Sequence, residues 1–544
     1  MDLFIPWILS YLIDYIVPKQ NMSQILLYGF FMIICSVIAW AGNVIANRIA
    51  SAVARNTTQK IRHDLFSAIS YLSCRQTDDF TIASLESRLT SDTYNIHQMI
   101  GMMQRLGVRA PILLLGGITV TMFLDPILTL VLLAVLPFVG IVVFYISKKG
   151  IPLYMLLQKS IDKMVRIVRE NASGIRVIKV LSKTEYEKRR FSDVNSEVVK
   201  KETKASVTMA ASNPLMNLFL NAGLTLVVVA GAFRVYHDHT KTGTILAFLT
   251  YFTIILNAML SINRMFVMYS KGSASAKRIS EIIDAPEDLQ TGAKNHIKSD
   301  YHIIFDHVSF AYNSGRKNTI SDISFSLKKG ETLGIIGPTG CGKSTIVNLL
   351  IRFYDPDSGV IRINGDDIRG ISPKDLYSKI GIVFQNDILF ADTIAENIIF
   401  GRDIKRDAVE NAVSYAQAEE FIDEIDEGLD YELTIRGSNL SGGQKQRVLI
   451  SRALASNPEI LILDDSSSAL DYNTDAELRQ ALKKHFKNTT TIIVAQRVSS
   501  ISYADHILML EHGKAIGYGT HEELMATCVE YKEISNSQMG GTIQ

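Results

Sequence analysis

Cysteine is scarce in this chain of 544 residues, with only four copies. Cys35, Cys74, Cys341 and Cys528 lie far apart without metal-ligand spacing, which excludes a cysteine-based metal centre and argues against a disulfide framework. Net charge is lacking as well: 56 Lys and Arg against 55 Asp and Glu leave +1. No global basic field therefore points to nucleic acid as a partner. A cleavable signal peptide is not evident either, because the apolar start runs straight into further apolar segments. What the chain has in quantity is hydrophobic residues, 47% of the total, and they are concentrated in its first half.

Apolar stretches near the ~20 residues that cross a bilayer fall at 24–46, 112–123, 126–146, 214–236 and 244–269. The second of these must extend backwards through 100–110 to reach full length. A shorter run at 3–17 precedes them and reads as a clipped first span, giving six in all. The connections alternate in length and charge. Those at 18–23, 125–126 and 237–243 are short and carry few cations. The other two are long, helical in pattern and basic, with Arg48, Arg55, Lys60, Arg62, Arg75 and Arg88 in one and Lys148, Lys149, Lys159, Lys163, Arg166, Arg169, Arg176, Lys179 and the cluster Lys188–Arg190 in the other. Cytoplasmic loops collect Lys and Arg, so both long connections are expected in the cytoplasm, and both termini follow by parity. Asn43, Arg105, Arg109, Asn217, Asn257 and Arg264 are polar residues of this half that qualify to line a substrate path, and nothing selects among them.

Composition turns polar near 270–290, with a break at Pro286. From Tyr301 onward, short β-branched runs alternate with helical patterns, as βαβ units do: HIIFDHVSF, ETLGIIG, KIGIVFQ, EILILDD, TTTIIVAQ and HILMLEHG. The expected fold is an all-α six-helix transmembrane domain (1–275), a linker (276–300), an α/β P-loop nucleotide-binding domain (301–535) and a tail (536–544).

The chemistry is concentrated in a few strings. Gly337-Pro338-Thr339-Gly340-Cys341-Gly342-Lys343-Ser344 fits G-x-x-x-x-G-K-[ST] between a strand and a helix, and Thr345 continues into that helix. Its glycines let backbone N–H groups approach phosphates at a helix N-terminus. Lys343 is expected at the β- and γ-phosphates of ATP and the Ser344 hydroxyl on Mg²⁺. The apolar strand ILILD ends in Asp464, the second expected partner of Mg²⁺.

LSGGQ, followed by KQRVLISRALASNPEILILDD, resembles the nucleotide-binding domain of ABC transporters. With six spans in front, the whole chain resembles a bacterial ABC exporter half-transporter of the type IV, multidrug-exporter-like class. The resemblance implies a multi-pass protein of the cytoplasmic membrane, its nucleotide-binding domain in the cytoplasm, that binds ATP and Mg²⁺. Two such halves pair head to tail, each ATP lying between one P-loop and the other chain's signature. Position by position, it implies that Tyr312 stacks on adenine and that Gln385 contacts Mg²⁺ or the attacking water. It assigns Ser441, Gly442, Gly443 and Gln444 to the γ-phosphate of the partner's ATP, and Ser468 to Asp471 to a loop touching the opposing site. Segments around 76–85 and 159–169 align with the family's coupling helices.

Two departures stand at the hydrolytic positions. Where the family carries a Glu to polarise water, this chain has Asp465, a carboxylate withdrawn by one methylene. Where the family carries a switch His, it has Gln496, which donates a hydrogen bond but carries no proton charge near neutral pH. A third lies in LTIRGSN, where Thr434 and Ile435 replace the Gly and Glu of the family's G-E-R-G. The combination resembles the degenerate-site subunit of a heterodimeric exporter moving an amphipathic drug, lipid or peptide. The alternatives are a slow homodimeric exporter and a nucleotide-gated regulatory subunit.

Overall fold

The computed structural model describes residues 1–538 apart from 290, 293–294, 313–317 and 467–468, with backbone alone at 143, 147, 212–213 and 263. Its internal contacts divide it into two units: Met1–Ile69 with Ala83–Asp284, and Ser70–Ile82 with Ala285 onward.

The first unit is helical. α1 (Phe4–Tyr11) passes through a π turn (Leu12–Ile16) and a 3-10 turn (Val17–Lys19) into α2 (Met22–Ser70). After α3 (Cys74–Phe80), which belongs to the second unit, come α4 (Ile82–Ser87), a second π turn (Arg88–Asp92), α5 (Thr93–Leu106) and α6 (Arg109–Leu124). α7 (Pro126–Ser173), α8 (Ile175–Val180), α9 (Thr184–Ala210), α10 (Ser212–Tyr236) and α11 (Thr242–Ile283) complete it. Among the described residues, five helical stretches are long and apolar enough to cross a membrane. The expected first span is not one of them, since α1 has only 8 residues. The turn at Asp125 shows how sequence sets an end: its carboxylate accepts from the N–H groups of Ile127 and Leu128, Pro126 opens the helix, and Arg234 pairs with Asp125 at 2.8 Å. Leu132, Val139, Tyr251, Phe252 and Ile255 are buried together, and α10 reaches α11 closely because Gly223 leaves room for the Phe252 ring, 2.4 Å from where a Cβ would stand.

One sequence expectation needs correction here. The long basic connections are helical, as their pattern implies, and they continue the membrane helices: α2 runs 49 residues and α7 runs 48, more than twice the ~20 that span a bilayer. The segment 159–169 accordingly lies inside α7. The short helix of that connection is α8, which starts only after Gly174 ends α7. α7 passes through Gly140 and Gly150 without a break and ends only before Gly174, so neither basic composition nor glycine alone marks the break. The other short helix, expected at 76–85, is α3 at Cys74–Phe80, followed by Thr81 at φ +62° and then α4.

Among the described residues the second unit holds ten strands: β1 (Ile303–Phe310), β2 (Ile320–Leu327), β3 (Thr332–Ile336), β4 (Ser358–Ile363), β5 (Asp366–Asp367), β6 (Ile380–Val383), β7 (Ile460–Asp464), β8 (Thr490–Val494), β9 (His506–Glu511) and β10 (Lys514–Gly519). An antiparallel sheet has the order β2-β1-β4-β5, and a second sheet the order β10-β9-β3-β8-β7-β6. In the second sheet β6, β7, β8, β3 and β9 run parallel. β7 and β8 are buried at every position and read as unbroken apolar or threonine runs, as strands covered on both faces do. All six strands expected from sequence are present. The sequence reading missed β2, β4, β5 and β10, whose Ser, Asp, Arg and Gly content masks the alternation.

Candidate functional site

Four neighbouring parallel strands deliver the site from one sheet edge. β3 runs into the loop Gly337–Gly342 and the helix α12 (Lys343–Leu350); β6 is followed by Gln385, β7 ends in Asp464 and Asp465, and β8 is followed by Ala495 and Gln496. The carboxyl ends of parallel strands are where α/β sheets bind ligands. Here they enclose a cavity of about 220 Å³ lined by Thr339, Gly340, Gly342, Lys343, Ser344, Thr345, Gln385, Asp464, Asp465 and Gln496, with Thr319 closing one side.

The loop geometry follows from its glycines. Gly342 caps α12 at φ +103°, and a Cβ there would stand 2.5 Å from Ile320 Cγ2. A Cβ on Gly337 would meet the Leu510 carbonyl at 2.1 Å. Lys343 Nζ donates to the carbonyls of Gly337 and Pro338 at 2.8 and 3.1 Å, inside the curl of the loop. Cys341 is buried beneath it, and burial pushes its thiol pKa up, away from reactivity.

On the facing wall, Asp464 is buried, and burial together with the neighbouring Asp465 charge raises its pKa; the Ser344 hydroxyl, hydrogen-bonded to it, and the Lys343 ammonium oppose that rise. Asp465 sits at φ +53° with its N–H on the Val494 carbonyl at 2.9 Å. Its Oδ2 accepts from two side-chain amides, Gln496 Nε2 at 2.8 Å and Gln385 Nε2 at 3.4 Å. The three residues singled out from sequence as hydrolytic thus meet at one oxygen atom.

Other expected residues stand elsewhere. Tyr312 is not on the cavity wall. It packs edge-on against Phe310 and Tyr354, donates to Thr345 Oγ1 at 3.3 Å, and accepts from Asn348 Nδ2 at 3.2 Å, so it is tied to α12 from outside. Ser441, Gly442, Gly443 and Gln444 do not line the cavity either. Ser441 caps the helix Gly442–Leu454 in a capping box with Gln444, and nothing lies within 4 Å of where a Cβ on Gly442 would stand. Ser468 lies outside the described residues; Asp471 caps the helix Tyr472–His485, and the Thr474 hydroxyl on its carboxylate holds its pKa down. In LTIRGSN, Arg436 takes φ +60° and Ile435 is 77% exposed.

Two connections escaped the sequence reading. Arg452, on the signature helix, donates to the Ile388 carbonyl at 3.0 Å and pairs with Asp387 at 3.5 Å, linking that helix to the segment after Gln385. And α3 is bonded to the second unit: Tyr354 donates to Asp78 at 2.6 Å, Gln76 to the Pro286 carbonyl at 2.7 Å, and Ser73 to Asp288 at 2.7 Å. No local motif marks either one, because each depends on residues distant in sequence.

Comparison with known proteins agrees with this geometry. The family profile for the ABC transporter transmembrane region matches residues 1–259, and that for the ABC transporter proper matches 320–468. The uncharacterized ABC transporter ATP-binding protein YfiB of Bacillus subtilis is 34% identical over 99% of this chain and 94% of its own length. YknU of the same organism, named in the same way, is 33% identical over 98% and 92%. A solved structure of a bacterial Atm1-family ABC exporter with ATP bound shares the fold, with a TM-score of 0.84 at 24% identity, covering 100% of this chain and 96% of that one. The chain belongs to the ABC transporters. It is a membrane protein with a cytoplasmic ATP-binding domain, and its enzymatic activity is ATP hydrolysis coupled to transport. Exporters of this family work as dimers in the membrane.

Proposed function

We propose that the chain is one half of a heterodimeric exporter: its own ATP site holds nucleotide with little turnover, while its signature segment completes a competent site on a partner half-transporter. The cargo class is amphipathic, a drug, lipid or peptide, moved outward across a bacterial cytoplasmic membrane. We assign 1–275 to the membrane domain, 276–300 to the linker, 301–535 to the nucleotide domain and 536–544 to the tail.

The observation that carries the reading is the double amide donation to Asp465. Hydrolysis requires a carboxylate that reaches the attacking water and a cation or proton carrier beside the γ-phosphate. Asp465 is short by one methylene, roughly 1 Å, and misplacement on that scale costs about a hundredfold in rate. Gln496 holds the carboxylate but supplies no charge. The parts that bind are complete. Lys343 and the N–H groups of the loop and of α12 receive phosphates, and Tyr312, anchored to Thr345 and Asn348, flanks the adenine side. Ser344, Gln385 and Asp464 present oxygen donors to one cavity, a hard-ligand set that fits Mg²⁺. When bound, Mg²⁺ neutralises phosphate charge. Asp464 holds the Ser344 hydroxyl in place, and Gln385, with its amide nitrogen on Asp465, keeps its carbonyl oxygen for the cavity. The signature residues lie off this cavity, which supports a two-chain arrangement in which Ser441–Gln444 serve another P-loop.

The test is purification of the tagged full chain from its native membrane. The expected result is a second, different half-transporter in stoichiometric amount, and a chain that binds ATP when isolated but turns it over far below about 1 s⁻¹, the low end of ordinary enzymes. A self-paired chain with brisk turnover would refute the proposal.

A further inference from the structure

The chain passes between its two units at three points, 69/70, 82/83 and 284/285. Two of them are tied together just inside the first unit. α11 ends at Ile283, and α4 begins at Ile82 and leads into the second π turn. From that turn, Asp92 accepts from the Ser275 hydroxyl at 2.8 Å and from the Arg278 guanidinium through Nε at 2.8 Å and through Nη2. Arg88, from the same turn, donates to Glu281 at 3.1 Å, and Asn95 donates to Ser275 Oγ at 3.1 Å. Packing closes the same seam: a Cβ on Gly272 would stand 2.4 Å from Met99 Sδ. Ser275, Arg278 and Glu281 recur every third residue and so share one face of α11. Asp92 and Arg88 are buried, and a buried pair is strongly destabilised when one partner is removed.

π turns are rare and concentrate at functional positions. Among the described residues, the other one carries Asp14, which accepts from Gly243 N–H at 2.6 Å and from the Thr244 hydroxyl at 3.3 Å at the opposite end of α11. Both π turns therefore place a carboxylate on the same helix, one at each end.

We infer that Arg88 and Asp92, bonded to Ser275, Arg278 and Glu281, form a clamp that makes the start of the α4–α5 segment and the end of α11 one rigid body. Displacement of the nucleotide domain then enters the membrane helices through both crossings together. The inference rests on the ATP-driven transport of the family and not on the heterodimer. These are positioning residues: none touches nucleotide.

Spin labels test it in the reconstituted full chain with its native assembly. With the clamp residues unaltered, the distance between labels at Thr90 and Lys277 is expected to stay the same when MgATP and vanadate are added; a change overturns the inference. Labels on the outer turns, at Gln20 and Asp238, are expected to shift with nucleotide. In Asp92→Asn the nucleotide-driven change in their population ratio should fall about tenfold, within the range of site–site coupling, with binding of a fluorescent ATP analogue unchanged. Reversing the pair, Asp92→Arg with Arg278→Asp, should restore it. An intact response in Asp92→Asn, a reversal that restores nothing, or an outer pair silent in the unaltered chain overturns the clamp. If Asp92→Asn does not fold, the Thr90–Lys277 distance decides. Loss of ATP binding in the unaltered chain would instead count against the transporter reading.

Discussion

Restoring the two hydrolytic side chains should switch on the ATP site of this chain. The perturbation is Asp465→Glu with Gln496→His. Asp465 already lines the cavity, held by Gln496 at 2.8 Å and Gln385 at 3.4 Å. An added methylene carries the carboxylate roughly 1 Å further into the cavity, a correction worth about a hundredfold, or about 2.7 kcal/mol of barrier. Histidine at 496 adds a group that can be a cation beside the phosphate, whereas glutamine donates one neutral hydrogen bond. One cost opposes the gain. The residue at 465 has φ +53°, a region Asp enters more readily than Glu, so part of the gain is lost to backbone strain. The expected net effect is a 30- to 100-fold rise in single-turnover phosphate release, about 2–2.7 kcal/mol.

The assay must isolate this site, since in an assembly with a competent partner the steady-state rate reports the partner. Single-turnover release of labelled phosphate from the assembled pair in nanodiscs, with the partner's P-loop lysine replaced by alanine, does so, with Lys343→Ala as the blank. The reasoning fails if the native chain already hydrolyses ATP at the rate of the double variant, or if the variant binds ATP normally and gains nothing.

Further predictions follow from single contacts. Gly342→Ala combines a backbone at φ +103° with a Cβ 2.5 Å from Ile320; strain of about 1–3 kcal/mol should weaken ATP binding about 5- to 150-fold, whereas Gly442→Ala, facing open space, should leave the chain's own affinity unchanged in the same fluorescence titration. Tyr354→Phe keeps the ring stack and removes the bond to Asp78, a loss of about 1 kcal/mol that should speed hydrogen exchange in Cys74–Phe80 several-fold without altering ATP affinity. His302 is buried with Nδ1 on Thr490, and burial lowers its pKa from 6.5, with Lys329 and Lys379 adding to the effect and Glu459 opposing it. A histidine depressed on folding contributes stability that is present above the unfolded value near 6.5 and lost as pH falls through the folded value. Resistance to denaturant should therefore fall on acidification from pH 7, with a shallower slope in His302→Gln.

The fold class was legible because its signals are local. Length and polarity mark membrane spans, and β7 and β8 are apolar enough to be read without context. The cavity was legible for a related reason: Lys343, Gln385, Asp464 and Gln496 lie at or soon after the carboxyl ends of β3, β6, β7 and β8, so they converge once the strands are parallel neighbours. What the sequence did not disclose depends on pairing over distance. β4 and β2 flank β1 through backbone bonds that their polar side chains do not announce. The expectation at 159–169 comes from resemblance to the family, whereas the helix break falls at Gly174. The bonds of Tyr354 to Asp78 and of Asp92 to Arg278 join residues 276 and 186 positions apart. Tyr312 was assigned by resemblance, and its anchoring to Thr345 and Asn348 is a further fact that no motif carries.

A site that binds without cleaving is not inert in the proposed pair. Nucleotide bound across two chains stabilises their closed state by RT ln(1 + [L]/Kd), about 2.7 kcal/mol when ATP stands at 100 times its Kd. In a site that hydrolyses, this stabilisation is surrendered at each turnover. In one holding ATP between Lys343 and a partner's signature, it persists across many cycles of the other site. The two nucleotide domains would then separate on one side only, hinging on the occupied one. That makes a specific demand on the chain: its binding residues must remain complete while Asp465 and Gln496 stay slow. A variant that removes phosphate binding, such as Lys343→Ala combined with Gly342→Ala, should therefore impair transport by the pair even though this site contributes little hydrolysis. Asp465→Asn, which removes the remaining carboxylate charge while leaving the loop intact, should leave transport nearly unchanged. If both variants abolish transport equally, turnover at this site is required and the division of labour is wrong.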